Sequence, residues 1–299
     1  MLYPQQTASR FVESLDGIWD FKLDDGSAFT DKWFDAPLSD PMTMPVPASY
    51  NDLKEGAAFR DFCGWALYQR TIAVPEFVKS QRVMLRFSAV THHAKVYLNG
   101  KMICEHVCGF LPFEVQINDY LEPGDNLLTV AVDNVIDYST LPVGGKANMM
   151  SGMMGGGGSD LDADDKDKPK VNNPNFDFFN YAGITRPVYI YTTPAEHIDD
   201  VELVADVQGE TTDEPSATVS YKVVATGDAD CKVEMFDEQG AKVAEGTGTE
   251  GELKLDQVNL WQPGAAYLYN VKVTFGEDVY ELPYGVRTCL LYTSPSPRD

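Results

Sequence analysis

The chain has 299 residues, 43% hydrophobic and 11% aromatic, a composition able to bury one large core or two ordinary ones. Its 46 acidic residues against 23 basic ones leave a net charge of −23, which repels phosphate backbones and anionic lipid, so no nucleic-acid or membrane partner is expected. No run reaches the ~18 consecutive apolar residues of a membrane span, and the start Met1-Leu2-Tyr3-Pro4-Gln5-Gln6 lacks the basic and apolar stretches of a secretory signal.

In chain order the pattern is β throughout. Leu15–Phe21 alternates apolar and polar residues around Ile18, Trp19 and Phe21. Asp31-Lys32-Trp33-Phe34 suggests a helical turn, and helix periodicity is otherwise scarce. Arg82–Phe87 and Lys95–Gly100 alternate again, the latter ending in Asn99-Gly100, a pair that tolerates the positive φ of a two-residue hairpin. Pro123-Gly124-Asp125 is a turn before the strand Asn126–Val132, and Pro187–Tyr191 reads as one more strand.

The texture changes at Thr192-Thr193-Pro194, which places a domain boundary near residue 195. Beyond it, Val201–Val204, Ala217–Val224, Cys231–Phe236 and Leu268–Phe275 read as strands, with Asp237-Glu238-Gln239-Gly240 as a turn. About seven short strands in roughly 90 residues fit an immunoglobulin-like sandwich, without the Cys–Trp–Cys pattern of antibody domains. The fold class is therefore all-β, one sandwich over 1–195 and a second over 196–288.

Residues 143–173 stand apart. Met149-Met150-Ser151-Gly152-Met153-Met154 runs into four glycines and then into the acidic stretch Asp160–Asp167. Four glycines in a row hold a strand poorly and the acids repel one another, so a mobile surface loop inserted into the first sandwich is expected. Its methionines could form an adaptable patch beside a binding site, or the segment could be a disordered tip.

Asp160, Asp162 and Asp164 have the spacing that opens a calcium loop, but the sixth position is Asp165 and the twelfth Val171, where Gly and Glu are needed, so no metal is expected. His92 and His93 are adjacent; on a strand they point to opposite faces and read as structural. His106 and His197 are isolated. No nucleophile elbow, P-loop or dinucleotide fingerprint is present, and no cofactor is expected. Trp19, Trp33, Trp65 and Trp261 could stack on a pyranose or fill the core; Trp19 and Trp261 read as core, and the other two remain open. The five cysteines, Cys63, Cys104, Cys108, Cys231 and Cys289, are odd in number and irregularly spaced, which points to reduced, mostly buried thiols and, with no signal segment, to the cytoplasm.

Asn172–Val188 gathers aromatics, amides and one carboxylate in an irregular strip before a clear strand. Taken alone it reads equally as a ligand-facing loop or as a crossover packing one sheet on another. Within it, Phe176-Asp177-Phe178-Phe179-Asn180-Tyr181-Ala182-Gly183-Ile184, then Arg186 and Tyr191-Thr192-Thr193-Pro194, resembles the β-glucuronidases of glycoside hydrolase family 2, bacterial type. Leu15-Asp16-Gly17-Ile18-Trp19, Trp65–Arg70, Leu85–His92, Leu260-Trp261-Gln262-Pro263-Gly264 and Tyr284-Gly285-Val286-Arg287-Thr288 agree in the same order, so the resemblance runs from about residue 3 to residue 288.

The resemblance implies a jelly-roll sugar-binding domain, an immunoglobulin-like domain and then a catalytic (β/α)8 barrel with two glutamates acting by a retaining mechanism. Those glutamates have no counterpart in this chain, so no catalytic residue is expected in it and it is expected to be inactive alone. The resemblance carries one substrate-binding residue over: Asp177, whose carboxylate would accept hydrogen bonds from sugar hydroxyls, with Asn180 and Tyr181 as supports. It implies a glucuronide or related carbohydrate and the missing barrel as partners, and leaves room for a homo-oligomer. Residues 289–299, ending Ser294-Pro295-Ser296-Pro297-Arg298-Asp299, leave the family pattern and read as foreign sequence after a truncation rather than as a natural tail. Three functions follow: the non-catalytic front of a glycosidase, a free-standing carbohydrate-binding protein, or a purely structural or interaction module.

Overall fold

A computed structural model describes residues 1–136, 140–141, 172, 180–210 and 214–288. The chain divides into two compact units, Glu13–Tyr191 and Met1–Val12 together with the chain from Thr192 on. The sequence pattern ran the first sandwich from residue 1; here the first twelve residues group with the second unit.

Among the described residues, the strands of the first unit are β1 (Val12–Ser14), β2 (Gly17–Leu23), β3 (Met42–Val46), β4 (Trp65–Ala73), β5 (Arg82–Phe87), β6 (Val90–Thr91), β7 (His93–Leu98), β8 (Lys101–Val107), β9 (Phe113–Gln116), β10 (Asp125–Asp133), β11 (Gly183–Ile184) and β12 (Val188–Thr193). Six form an antiparallel sheet in the order β3-β2-β4-β10-β7-β8, four a second sheet in the order β1-β12-β5-β9, and β11 pairs with β6. The core draws on both larger sheets: Trp19, Phe21 and Tyr68 from one, Leu85 and Phe87 from the other, all nearly fully buried. Phe21 meets Tyr68 edge-on at 4.8 Å, the geometry the ring quadrupoles favour.

The β7–β8 hairpin turns at Asn99 and Gly100, with φ of 51° and 78°, as that pair requires. Asn99 also donates to the Tyr120 carbonyl and accepts from the Leu127 amide, fixing the hairpin to the start of β10. Asp31–Phe34 does not become a helix. It forms turns, with Asp31 N–H to Ser27 O at 2.8 Å and Trp33 N–H to Ala28 O at 2.9 Å. Two single-turn helices, α1 (Tyr50–Leu53) and α2 (Ala57–Arg60), lie in the β3–β4 connection, too short to show a period in sequence.

The second unit contains β13 (His197–Gln208), β14 (Ser216–Thr226), β15 (Cys231–Phe236), β16 (Lys242–Thr247), β17 (Glu250–Leu255), β18 (Trp261–Gln262), β19 (Ala265–Ala266), β20 (Tyr269–Phe275) and β21 (Asp278–Tyr284). Among the described residues, β13-β14-β17 and β16-β15-β20-β21 form two antiparallel sheets of an immunoglobulin-like sandwich, with β18-β19 as a separate pair. Alternation sets the faces. Val219, Tyr221 and Val223 of β14, Val233 and Met235 of β15, and Val271, Val273 and Phe275 of β20 point inward.

The N-terminal residues join this unit through charge. Arg10 and Asp278 are 3% and 0% exposed. Arg10 Nε and Nη2 reach the two Asp278 oxygens at 2.9 and 2.6 Å, and Nη2 also donates to Ile198 O at 2.8 Å. The Ile198 amide and the Ser9 hydroxyl complete the carboxylate's partners. Burial pushes Asp278 up, but the guanidinium and these donors win and hold it below the usual carboxylate value.

Candidate functional site

Asp177, the expected sugar-facing residue, lies outside the described residues, as do Asp160, Asp162, Asp164, residues 142–171 and the tail from 289. Both flanks of its strip are described, and each is fastened. At the incoming flank, Asn172 accepts from the Ile136 amide at 2.9 Å and donates to the Asn134 carbonyl at 2.6 Å, a two-point grip on the chain just after β10. Asn134 is itself locked: 2% exposed, it accepts from the Gly64 amide at 2.8 Å and donates to the Phe62 carbonyl at 2.7 Å.

At the outgoing flank, Asn51 donates to the Asn180 carbonyl at 2.7 Å. The Ser49 hydroxyl donates to Asn51 Oδ1 at 2.5 Å and accepts from the Ala182 amide at 3.0 Å. The Tyr50 amide donates to Ala182 O and the Ala48 amide to Ile184 O, so α1 and its approach run alongside the strip. Gly183 then pairs with Thr91, seating β11 against β6. A side chain at 183 would overlap the Tyr68 hydroxyl and come within 3.2 Å of the Tyr50 ring, and φ is +112°, so only glycine fits. Tyr50 and Tyr68 are buried in the core below it. Burial pushes both phenols far above their ordinary pKa and keeps them neutral.

The adjacent histidines differ in exposure, and His92 lies between β6 and β7 rather than within a strand. His92 is 2% exposed, and neither ring nitrogen makes a regular hydrogen bond. Burial pushes its pKa down to about 4, against a smaller upward pull from the backbone of Leu141. His93 is half-buried, with Nε2 2.7 Å from Glu105. His106 stacks on Phe113 at 4.4 Å, and His197 lies 3.1 Å from Asp199. Among the described residues no three His, Cys, Asp or Glu side chains group as metal ligands.

Of the tryptophans, Trp19 is core as expected. Trp261 is not; it is half-buried on β18 with the Arg287 guanidinium 4.7 Å from its ring centroid, because a two-stranded ribbon has too little cover to enclose an indole. Trp33 carries Lys22 at 4.4 Å, and Trp65 lies against Phe29, His93 and Lys95. Both half-buried rings are thus already flanked by protein groups. Among the described residues the thiols are less buried than expected: Cys63, Cys104 and Cys108 are half-buried and Cys231 is fully buried.

Sequence reasoning missed Ser49, Asn51 and Asn134, the residues that grip the strip. Small polar residues in polar loops carry no pattern, and the Asn51 and Asn134 side chains work on backbone groups far along the chain.

Residues 12–194 match the glycosyl hydrolases family 2 sugar binding domain, and residues 184–287 match glycosyl hydrolases family 2. A β-glucuronidase of Paenibacillus borealis is 38% identical over 300 residues, covering 96% of this chain and 47% of the relative, and one of Sus scrofa is 35% identical over 320 residues, covering 96% and 46%. Among solved structures, a β-glucuronidase from an uncultured Clostridium sp. superposes with a TM-score of 0.85 at 40% identity, over 98% of this chain and 47% of that one. The Ruminococcus gnavus β-glucuronidase in complex with D-glucuronic acid gives 0.83 at 32% identity, over 96% and 47%. The chain spans about half the length of the curated relatives it matches. With the sugar-binding match alone spanning more than half of its residues, and with two β-sandwiches in the order the two matches run, the chain belongs to glycosyl hydrolase family 2.

Proposed function

We propose that this chain is the non-catalytic N-terminal portion of a β-glucuronidase-like glycosidase, which hydrolyses the O-glycosyl bonds of glucuronides in carbohydrate metabolism. Its first unit serves as the jelly-roll sugar-binding domain. Its part in the reaction is to hold substrate, with Asp177 accepting hydrogen bonds from sugar hydroxyls. One observation carries this reading: the strip that contains Asp177 is gripped at Asn172 and at Asn180 by amide side chains, the support a substrate-positioning loop needs. The chemistry of bond cleavage belongs to the half of the longer relatives that has no counterpart here. We place it in the cytoplasm on the odd number and irregular spacing of its five cysteines.

The test is hydrolysis of para-nitrophenyl β-D-glucuronide. The 299-residue chain is expected to be inactive, and a hybrid joining it to the C-terminal half of the Paenibacillus borealis β-glucuronidase is expected to be active. A folded but inactive hybrid, with D-glucuronic acid still bound by the chain alone, would favour the free-standing carbohydrate-binding reading instead.

A further inference from the structure

Residues 3–10 form no strand or helix of their own, yet they run beside a strand. β21 ends the sheet β16-β15-β20-β21, and β20 takes one of its two sides. Backbone groups alternate along an antiparallel strand, so every second residue of β21 turns its N–H and C=O away from β20. An open row of that kind is a template for another strand. Here the row is occupied. Ser9 Oγ accepts from the Val279 amide at 3.1 Å. Two residues on, Gln5 Oε1 accepts from the Glu281 amide at 3.2 Å, and Gln5 Nε2 donates to the Glu281 carbonyl at 2.5 Å. A carboxamide carries a donor and an acceptor side by side, as a peptide group does, so Gln5 bonds Glu281 as a neighbouring strand would. The next outward position is Pro283, which has no N–H to offer. Both outward donors of β21 are therefore taken, and the third position has none.

The segment is pinned on either side of these contacts. Leu2 packs on the core of the unit, and the Tyr280 hydroxyl donates to Tyr3 O at 3.1 Å. Thr7 Oγ1 accepts from the Ser9 and Arg10 amides at 3.2 and 3.0 Å, a turn that brings Ser9 to Val279 and Arg10 to Asp278. The edge beneath is self-complementary. In an antiparallel pairing of two copies centred on Tyr280, Val279 of each copy stands opposite Glu281 of the other, and each such pair can exchange both of its hydrogen bonds. Pro283 falls opposite Glu277, beyond the strand, where it interrupts nothing, and no like charges face each other.

We propose that residues 3–10 are an edge guard, their side chains standing in for a missing strand along β21, and that the edge beneath is a docking surface for a second copy of this chain, closed while Gln5 and Ser9 are in place. This role is independent of the glucuronide reading.

The experiment compares the 299-residue chain with its Gln5→Ala, Ser9→Ala double variant, which leaves Arg10 and Asp278 untouched. Residue-resolved amide hydrogen exchange at high dilution is read first. The Val279 and Glu281 amides are expected to exchange about tenfold faster in the variant, while Tyr280 and Leu282, bonded to β20, keep their protection. Unchanged exchange at Val279 and Glu281 overturns the guard. Protection lost equally at Tyr280 and Leu282 also overturns it, because the segment would then hold the whole strand rather than cover its edge. Sedimentation equilibrium is read second. The variant is expected to self-associate about tenfold more tightly than the unmodified chain, and adding Glu281→Pro, which removes an outward N–H and spares the bonds to β20, is expected to reverse the gain. No gain in the double variant, or a gain that survives Glu281→Pro, overturns the docking surface.

Discussion

Arg10 and Asp278 show how much one residue pair can weigh. Both are buried, and the guanidinium reaches both carboxylate oxygens. Arg10→Ala leaves a buried carboxylate uncompensated and is expected to lower stability by about 3–5 kcal/mol, whereas the apolar double replacement Arg10→Met with Asp278→Leu costs far less. Urea unfolding of both variants checks this; equal losses would mean that the pair itself, rather than an unmatched charge, is what the unit needs. Because the folded-state pKa of Asp278 is depressed, its contribution is present above the ordinary carboxylate value and is lost as pH falls through the lower folded value. His92 acts in a different window with a different sign. Its imidazole ordinarily titrates near 6.5 but near 4 when folded, so the unfolded chain binds a proton between those values and the folded chain does not. Stability is therefore expected to fall by roughly 3 kcal/mol as pH drops from 6.5 to 4, and His92→Phe is expected to flatten that slope in pH-dependent denaturation.

Strands were legible where polar or charged residues break up the apolar ones within the run. Arg82–Phe87 and Cys231–Phe236 match β5 and β15 end to end, and the Asn99-Gly100 turn follows from what those two residues allow in φ. Edge strands were not. Lys242-Val243-Ala244-Glu245-Gly246-Thr247 of β16 lies at the edge of its sheet among the described residues, and its few apolar side chains give no clear alternation. β4 failed for the opposite reason: Ala66, Leu67, Tyr68 and Gln69 are all buried, and a strand covered on both faces has no period of two. β11 is only two residues long, yet it fixes the strip's exit, and its position depends on Gly183. Gly183→Ala must push Tyr68 aside and adopt a left-handed φ, so a loss of about 2 kcal/mol or more is expected in thermal or urea unfolding. A neutral Gly183→Ala would show that the close approach is not needed.

At the scale of the molecule, the all-β class and the two sandwiches were readable from strand length and turn chemistry alone, while the candidate site residue is named only through resemblance and lies outside the described residues. Spacing and composition left Asn172–Val188 balanced between ligand loop and packing crossover. The family motif singled out Asp177, and the structure supplied the grips at Asn134 and Asn51 that no local pattern encodes. The grouping of residues 1–12 with the second unit was equally hidden, because it depends on an ion pair spanning almost the whole chain.

The most direct test of the sugar-holding role is Asp177→Asn in the hybrid with the Paenibacillus borealis C-terminal half, assayed on para-nitrophenyl β-D-glucuronide. Hydrogen bonds from a sugar to a charged acceptor contribute about 1.5–3 kcal/mol, so kcat/KM is expected to fall about 10- to 150-fold while the unfolding midpoint stays unchanged. An unaltered kcat/KM in a folded hybrid would contradict the account, because the strip would then be a packing crossover and this chain would contribute no group to the sugar.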